Sequence, residues 1–369
     1  MPWDLFCRVV DNFGDIGVCW RLAAQLGDRG QPVRLWVDDA SALEWMAPDR
    51  QREQPLVSVF GFDEAASAEP GEVVIEAFGC DPPPDFVARM AQRKQLSGRQ
   101  PVWINLEYLS AEAHAERNHR LPSPQSAGPG AGLLKYFFFP GFSAGSGGLL
   151  REDDLLQQQE RFDAEAWLTA QGITLQAYEQ PISLFCYPES PVAELIDRLT
   201  QPDRPPTLLL ATAGAASAMV AQLLGPTLRR GGLRALCLPW LSQTDYDHLL
   251  WSCAINFVRG EDSAVRAQWA AKPFVWQLYR QDDGADQIKG AAFLQRFFAP
   301  AVAPVDKAMM SQVSNWWTGW NRPPGSGAPL PHDWPDHHRW QAHCIAWRDH
   351  LAAQSGLVDR LQAFVAEAS

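Results

Sequence analysis

The sequence predicts an α/β protein built from two Rossmann-like, doubly wound domains. The length of 369 residues suits two domains of ordinary size. Short apolar strands alternate with helical segments, which is typical of parallel sheets with helical crossovers. This alternation occurs in two series, which are separated by a Pro-, Gly- and Ser-rich stretch and a charged segment.

The first series starts at the beginning of the chain. An apolar strand at 3–10 is followed by a turn, a helix at about 18–29 and a second strand at 33–37, which together form a β-α-β unit. Further strands are predicted at 73–78 and 102–106. Residues 123–148 are interpreted as a long loop anchored by the aromatic stretch 136–142. We therefore expect an N-terminal Rossmann-like domain over residues 1–150.

The second series follows a connecting segment, predicted at 151–180 from its charged start and one helix-like stretch. Strands are predicted at 182–187, 207–212, 233–238, 254–258 and 274–277, with helices at 192–199, 215–224, 246–251 and 263–271. This pattern predicts a C-terminal, doubly wound Rossmann-like domain over 181–335. Helices at 336–369 are expected to pack back toward the N-terminal domain.

Composition and charge exclude several classes of function. The net charge of -12 disfavours binding to nucleic acid or to an anionic membrane surface. No stretch approaches the roughly 18 apolar residues of a membrane span, and the first residues lack a signal-peptide pattern. The 7 cysteines show no Cys-x-x-Cys spacing. We therefore expect a cytoplasmic protein without a metal or other cofactor.

The turn after the first strand is the first candidate site. Asp11 and Asp15 stand at the carboxyl end of that strand, where open α/β sheets bind their ligands. The turn lacks the three glycines of a dinucleotide fingerprint, and two carboxylates would repel a pyrophosphate. One interpretation is a carboxylate pair that binds a cationic group and accepts its proton. The alternative is that Asp15 caps the helix and Asp11 closes the turn.

The second candidate site is the segment Phe257-Val258-Arg259-Gly260-Glu261-Asp262-Ser263, which runs from a strand through a glycine into a helix. The Arg259 guanidinium, the Ser263 hydroxyl and the free N–H groups of the helix start could hold a diphosphate without metal. Glu261 and Asp262 would instead bind sugar hydroxyls or orient Arg259. Simple helix capping is the alternative for the whole segment.

Weaker candidates lie near the same strand ends. Phe185, Tyr187 and Tyr279 could stack on a nucleobase, although packing explains each of them as well. Asp245-Tyr246-Asp247 matches the Asp-x-Asp metal motif of some glycosyltransferases, but helix capping by the preceding serine explains it better. No histidine pair has metalloprotease spacing, and no serine lies in a Gly-x-Ser-x-Gly turn.

Four motifs taken together resemble the elongation factor P (EF-P) arginine rhamnosyltransferases of the EarP type. They are Val9-Val10-Asp11-Asn12-Phe13-Gly14-Asp15-Ile16-Gly17, Trp103-Ile104-Asn105-Leu106-Glu107-Tyr108-Leu109-Ser110, Phe137-Phe138-Phe139-Pro140-Gly141-Phe142, and the Phe257–Ser263 segment. The resemblance covers most of the chain. It implies the GT-B glycosyltransferase architecture, with two Rossmann-like domains facing across a cleft. By the same resemblance, the N-terminal domain binds the protein acceptor and the C-terminal domain binds the nucleotide sugar.

The resemblance also implies an activity. It is the inverting transfer of L-rhamnose from dTDP-β-L-rhamnose to an arginine guanidine nitrogen of EF-P, which then assists ribosomes stalled on proline-rich stretches. By the same match, Asp15 and Asp11 are the catalytic candidates, with Asp15 as the general base. The residues expected to bind the donor are Asn12, Phe13, Gly14, Gly17, Phe185, Tyr187, Phe257, Arg259, Gly260, Glu261, Asp262, Ser263, Gln277 and Tyr279.

Three other functions remain alternatives at this point. A GT-B enzyme with a different sugar or lipid acceptor would have the same two domains, but the sequence lacks an amphipathic membrane-binding stretch. A non-catalytic module that binds EF-P or a nucleotide would also fit. A nicotinamide oxidoreductase fits poorly, because the pyrophosphate fingerprint is missing.

Overall fold

A computed structural model of the chain describes residues 2–10, 13–299, 301–304, 306–326 and 329–368. The chain forms two units: unit 1 comprises Met1–Glu152 and Ala352–Ser369, and unit 2 comprises Asp153–Leu351. Each unit contains one sheet with helices on both faces.

Unit 1 is built on a seven-stranded sheet with the order β3-β2-β1-β4-β5-β7-β6. Its strands are β1 (Trp3–Cys7), β2 (Val33–Val37), β3 (Val57–Gly61), β4 (Val73–Ala77), β5 (Val102–Leu106), β6 (Pro122–Pro124) and β7 (Leu134–Phe138). All neighbours pair in parallel except β6, which is antiparallel to β7. The strands β1, β4 and β5 are buried along their whole length, and each is apolar except for one polar residue, namely Asp4, Glu76 and Asn105.

Helices cover both faces of this sheet. They are α1 (Gly14–Asp28), α2 (Leu43–Met46), α3 (Arg50–Glu53), α4 (Pro84–Ser97), α5 (Ala113–Asn118) and, from the end of the chain, α15 (Leu357–Ala368). On one face Ile16 of α1 packs in the same core as Ile104 of β5 and Phe364 of α15. On the other face Phe86 of α4 packs with Trp103 of β5. The apolar residues of α15 recur at helical spacing, so this helix turns one stripe into the core.

Two features of unit 1 differ from the prediction. The segment 123–148 contains β6 and β7 instead of a plain loop, because the run Leu134–Phe138 pairs in parallel with β5 and extends the sheet. The first strand ends at Cys7 instead of residue 10, because its partners β2 and β4 offer no pairing beyond that point.

Unit 2 is built on a six-stranded sheet with the order β10-β11-β9-β8-β12-β13. Its strands are β8 (Gln180–Leu184), β9 (Thr207–Ala211), β10 (Arg229–Arg230), β11 (Leu233–Cys237), β12 (Ile255–Arg259) and β13 (Phe274–Gln277). Pairing is parallel except for the short β10. The chain adds strands first on one side of β8 and then on the other. The carboxyl ends of β9, β8 and β12 therefore border the topological switch point where such sheets bind ligands.

The helices of unit 2 are α6 (Leu155–Arg161), α7 (Ala164–Ala170), α8 (Val192–Leu199), α9 (Ala215–Leu224), α10 (Gln243–Ser252), α11 (Glu261–Ala270), α12 (Ala285–Phe297), α13 (Lys307–Trp320) and α14 (His337–Ala352). Several tryptophans of the last helices, including Trp316, Trp320 and Trp347, are almost completely buried. Their side chains pack in the interior of the unit. No helix within the described part of the chain combines the length and apolarity needed to cross a bilayer.

The first stretch of unit 1 ends at Glu152, two residues past the expected bound at 150, whereas the later bounds differ from those expected. The predicted connecting segment 151–180 falls almost entirely in unit 2, since the unit begins at Asp153 and includes α6 and α7. Of the two last helices, α14 lies almost entirely in unit 2, whereas α15 belongs to unit 1. The physical reason lies in their contacts. The Trp347 indole N–H of α14 donates a hydrogen bond to Gln268 of α11, whereas Phe364 of α15 packs in the core of unit 1.

Candidate functional site

The carboxylate Asp15 lies in the first turn of α1, just beyond the carboxyl end of β1. Its side chain is only 4% exposed. The Val10 backbone N–H donates a hydrogen bond to Asp15 Oδ2 at 2.8 Å. Asp15 thus joins the end of the first strand to the start of the helix, and the helix dipole at that end favours its negative charge. The sequence prediction of a carboxylate at the ligand-binding edge matches this position.

The other predicted residues of the first turn have mixed outcomes. Asp11 and Asn12 lie outside the described residues. Phe13 precedes α1 and packs its ring edge-on against Trp45 at 5.2 Å, so it supports the turn through apolar contact. Gly14 is the first residue of α1, and Gly17 is buried one turn later, where its N–H donates to the Phe13 carbonyl at 3.0 Å.

In unit 2, Arg259 at the end of β12 is held between two aromatic rings. Its guanidinium carbon lies 4.3 Å from the ring centre of Phe185 and 4.4 Å from that of Tyr187. Both rings follow β8, the strand next to β12 in the sheet. Stacking on aromatic faces fixes the plane of a guanidinium and leaves its edge for bidentate recognition of a carboxylate or phosphate. The structure therefore brings together three residues that sequence reasoning selected from separate segments.

The start of α11 lies directly after Arg259. Gly260 adopts φ 65°, a conformation that favours glycine, and it has no side chain that could cap the helix. The helix dipole makes the start of α11 a place where an anion is electrostatically favoured. Glu261 forms an ion pair with Lys289 of α12 at 2.6 Å, which offsets part of the negative charge at this helix end.

Ser263 is buried one residue after Asp262, in the first turn of the same helix. Its hydroxyl donates a hydrogen bond to the backbone carbonyl of Arg259. This hydrogen bond ties the first turn of α11 to the end of β12 and supports the conformation of the Arg259 turn.

Gln277 and Tyr279 have supporting positions in the same region. Gln277 at the end of β13 is buried, and its Oε1 accepts hydrogen bonds from the Tyr187 N–H at 2.9 Å and the Ser190 hydroxyl at 2.7 Å. Tyr279 is 60% exposed and contacts Tyr187 edge-on at 5.7 Å. Gln277 therefore fixes the backbone of Tyr187, while Tyr279 presents an aromatic surface to solvent.

Phe257 occupies a different place from the one predicted for it. Its side chain is completely buried and packs against Trp320 at 4.6 Å between ring centres. Residues alternate between the two faces of a strand, so Phe257 and Arg259 point to the same side, but Phe257 lies deeper. Its observed role is core packing below the candidate site.

The Asp-x-Asp motif is used for structure. Asp247 is buried and accepts two hydrogen bonds from Arg266 of α11, at 2.9 Å and 2.7 Å. Asp245 exchanges hydrogen bonds with the N-cap residue Ser242, as the capping interpretation predicts. In the residues that the structure covers, no group of three or more His, Cys, Asp or Glu side chains is placed to hold a metal ion.

Sequence reasoning missed one aromatic residue at this edge. Trp240 follows β11 and is 49% exposed. A Cβ atom at Gly214, which precedes α9 with φ 91°, would lie 3.8 Å from the Trp240 ring. Trp240 therefore stands at the carboxyl ends of the strands beside a helix start. Its only sequence signal was a tryptophan in the segment after a predicted strand.

Tyr246 of α10 packs edge-on against Phe185 at 5.8 Å. Burial raises the pKa of the Tyr246 phenol well above its ordinary value, so the hydroxyl remains protonated. Tyr246 therefore contacts the Phe185 ring as a neutral group, and Arg259 supplies the positive charge of this cluster.

Two Rossmann-like units are the architecture of the GT-B class of glycosyltransferases. One unit carries a buried carboxylate after its first strand, and the other carries an arginine at a helix start beside its switch point.

Comparison with known proteins identifies the family. Residues 3–366 match the model of the elongation factor P (EF-P) rhamnosyltransferase EarP. The chain is 40% identical to the protein-arginine rhamnosyltransferase of Pseudomonas aeruginosa over 99% of both chains, and 41% identical to that of Pseudomonas putida over 98% of both. A solved structure of EarP-mediated arginine glycosylation of EF-P is 29% identical, with TM-score 0.66 over 100% of this chain and 99% of that one. The chain belongs to the EF-P rhamnosyltransferase family, as its motifs indicated.

Proposed function

We propose that this enzyme transfers L-rhamnose from dTDP-β-L-rhamnose to a guanidine nitrogen of one arginine in EF-P, with inversion at the sugar carbon. The observation that carries the proposal is the buried carboxylate of Asp15 at the ligand-binding edge of unit 1, in a chain that belongs to this family over nearly its whole length. A carboxylate there is suited to a cationic acceptor, whose proton must leave during the reaction.

The acceptor chemistry explains why a carboxylate is needed. A guanidinium has a pKa above about 12 and no free lone pair, so it becomes a nucleophile only as a proton is removed. Asp15 is the proposed general base. Asp11, which precedes it in the same turn, is proposed to hold the guanidinium and polarise it. Both assignments rest on the family motif, and the burial of Asp15 supports the first.

The donor chemistry explains the arrangement in unit 2. As the bond between sugar and diphosphate breaks, negative charge grows on the diphosphate. Arg259, held in a fixed plane by Phe185 and Tyr187, and the N–H groups of α11 are proposed to stabilise this charge. They would fill the role that a divalent metal has in other transferases. Glu261, Asp262 and Ser263 are proposed to contact the donor from the first turn of α11.

The nucleotide base requires an apolar platform as well as the diphosphate site. Trp240 and Tyr279 are exposed aromatic residues at the carboxyl edge of the unit 2 sheet. We propose that one of these rings stacks on the thymine, since stacking is worth about 1–3 kcal/mol per base.

The test is direct. Purified enzyme is incubated with dTDP-β-L-rhamnose and unmodified EF-P, and the intact and peptide masses of EF-P are then measured. The expected result is the gain of one deoxyhexose on a single arginine, absent when the donor is omitted. Lack of any mass gain with folded enzyme and competent EF-P would contradict the proposal. Gain of sugar from UDP- or GDP-linked donors alone would contradict the assignment of the donor.

A further inference from the structure

A strained aromatic turn lies at the carboxyl ends of β4 and β5 in unit 1. Phe78, directly after β4, adopts φ 58°, a conformation that is unusual for a bulky residue. Its N–H donates to the Leu106 carbonyl at 2.7 Å. Its ring stacks on Tyr108 with 4.6 Å between centres and 20° between planes. Such strain is concentrated at functional sites, and here it presents a stacked pair in which Tyr108 is 43% exposed.

Two hydrogen-bond acceptors adjoin this pair. The Asn105 amide N–H donates to Glu107 Oε1 at 2.8 Å, and Asn105 is only 6% exposed. The Asn105 Oδ1 atom is buried, and no donor among the described residues reaches it. Because the oxygen and nitrogen of an amide share one carbon, Oδ1 lies beside the Glu107 carboxylate. A buried acceptor without a donor is costly, so this group is suited to a ligand that brings N–H groups.

The charges around Glu107 favour a cationic ligand. Lys135 of β7 is the neighbouring cation, and it pairs with Glu76 at 2.5 Å and with Asp81 at 3.6 Å. Glu107 itself forms no ion pair within the described ranges of the chain. Burial raises the pKa of Glu107 above its ordinary value, because the carboxylate loses solvation there, and a cationic ligand would offset that loss. The cluster therefore contains three carboxyl groups and one ammonium group.

We propose that Asn105, Glu107 and the Phe78–Tyr108 stack form a subsite for a basic side chain of the protein acceptor, a side chain other than the arginine that is modified. The inference rests on the proposed function, since it assumes a protein acceptor. A guanidinium or ammonium group has only donors, which match the Asn105 oxygen and the Glu107 carboxylate. The Tyr108 ring supplies the face on which a cation stacks.

The position in the sheet separates this subsite from the catalytic base. Asn105 lies two residues after Trp103, so it faces the α4 side of the sheet, whereas Asp15 belongs to α1, which packs on the opposite face. The strands β1 and β5 are separated by β4, which puts them about 10 Å apart. An extended peptide covers that distance in about three residues. Because the two sites also lie toward opposite faces of the sheet, the subsite binds a lysine or arginine at least about three residues from the modified arginine.

The test uses the full-length enzyme with unmodified EF-P and dTDP-β-L-rhamnose. We expect Glu107→Gln to raise the KM for EF-P about tenfold, to change kcat less than threefold and to leave the Kd for dTDP unchanged. Tyr108→Leu is a second, partly exposed variant and is expected to raise the same KM about threefold. The matched control is Glu69→Gln, a carboxylate in unit 1 with an 89% exposed side chain, which should leave all three constants unchanged.

The acceptor side completes the experiment. Each lysine or arginine near the modified arginine of EF-P is replaced by glutamine in turn. One of these EF-P variants should show a raised KM with the wild-type enzyme. With the Glu107→Gln enzyme, the same EF-P variant should have the same KM as unaltered EF-P. An unchanged KM for Glu107→Gln and Tyr108→Leu, or a rise that no basic residue of EF-P shares, would overturn the subsite. If Glu107→Gln does not fold, the KM of Tyr108→Leu for EF-P is the test of the subsite. Failure of wild-type enzyme to modify EF-P would instead overturn the proposed function.

Discussion

Replacing Arg259 by methionine tests the proposed diphosphate site most directly. Methionine keeps the apolar stem between Phe185 and Tyr187 but removes the guanidinium, which lies 4.3 Å and 4.4 Å from their ring centres. A hydrogen bond to a charged group contributes about 1.5–3 kcal/mol, and each 1.4 kcal/mol changes an equilibrium constant tenfold. We therefore expect the Kd for dTDP to rise about 10- to 150-fold.

The assay is isothermal titration of dTDP into each purified variant, with a melting curve to verify folding. Arg259→Lys separates charge from geometry, because lysine keeps the charge but loses the planar fork, and it should give an intermediate Kd. Arg230→Met is the matched control. Arg230 lies on β10, at the opposite edge of the sheet from β13, and forms an ion pair with Asp197 of α8. A Kd for Arg259→Met within threefold of wild type, in a folded protein, would refute the reasoning. Arg259 would then be a structural cation of the aromatic cluster.

Four further outcomes are expected. Asp15→Asn, whose amide oxygen can still accept from the Val10 N–H, should lower kcat by about 10²- to 10⁴-fold with an unchanged Kd for dTDP; near-normal turnover would exclude it as the base. Trp240→Leu should raise the Kd for dTDP about tenfold or more if that ring carries the base, which titration measures. Arg266→Met leaves the buried carboxylate of Asp247 without its partner and should destabilise unit 2 by about 3–5 kcal/mol in urea unfolding. Burial raises the pKa of Glu76 from 4.5 to about 7, so ionising this group costs stability in the folded state. From pH 5 to pH 8, the free energy of unfolding of the wild type should therefore fall by about 2–3 kcal/mol relative to that of Glu76→Gln. A difference between the two proteins that does not change with pH would contradict this prediction.

The parallel sheets were predictable because their strands are buried on both faces. The runs Val33–Val37, Val102–Leu106 and Phe274–Gln277 match the predicted strands residue for residue. The predictable signal was local: mainly apolar runs of four or five residues, each with one polar residue and bounded by turn residues. The hairpin of β6 and β7 was missed because its Pro- and Gly-rich surroundings read as a loop. Only pairing with β5, distant in sequence, shows that Leu134–Phe138 is a strand.

The candidate site was predictable where a single segment carries it. The Arg259–Ser263 turn combines strand end, glycine and helix start in five consecutive residues, and it is found as such in the structure. The contacts among segments were not predictable. The aromatic sandwich of Arg259, the pairing of Asp247 with Arg266 and the position of Trp240 beside Gly214 all depend on strand order. Strand order is a property of tertiary packing that local periodicity does not contain.

The division of unit 1 into two stretches of chain has a consequence for synthesis on the ribosome. Leu357, Val358, Leu361 and Phe364 belong to the same core as β1, β4 and β5, yet they are translated only after the whole of unit 2. At about 5–20 residues per second, the roughly 200 residues of unit 2 take about 10–40 s to make. For that time the face that α15 covers is open to solvent on a nascent chain. We expect chaperones that bind apolar surface to engage unit 1 during this interval and to leave once α15 has docked.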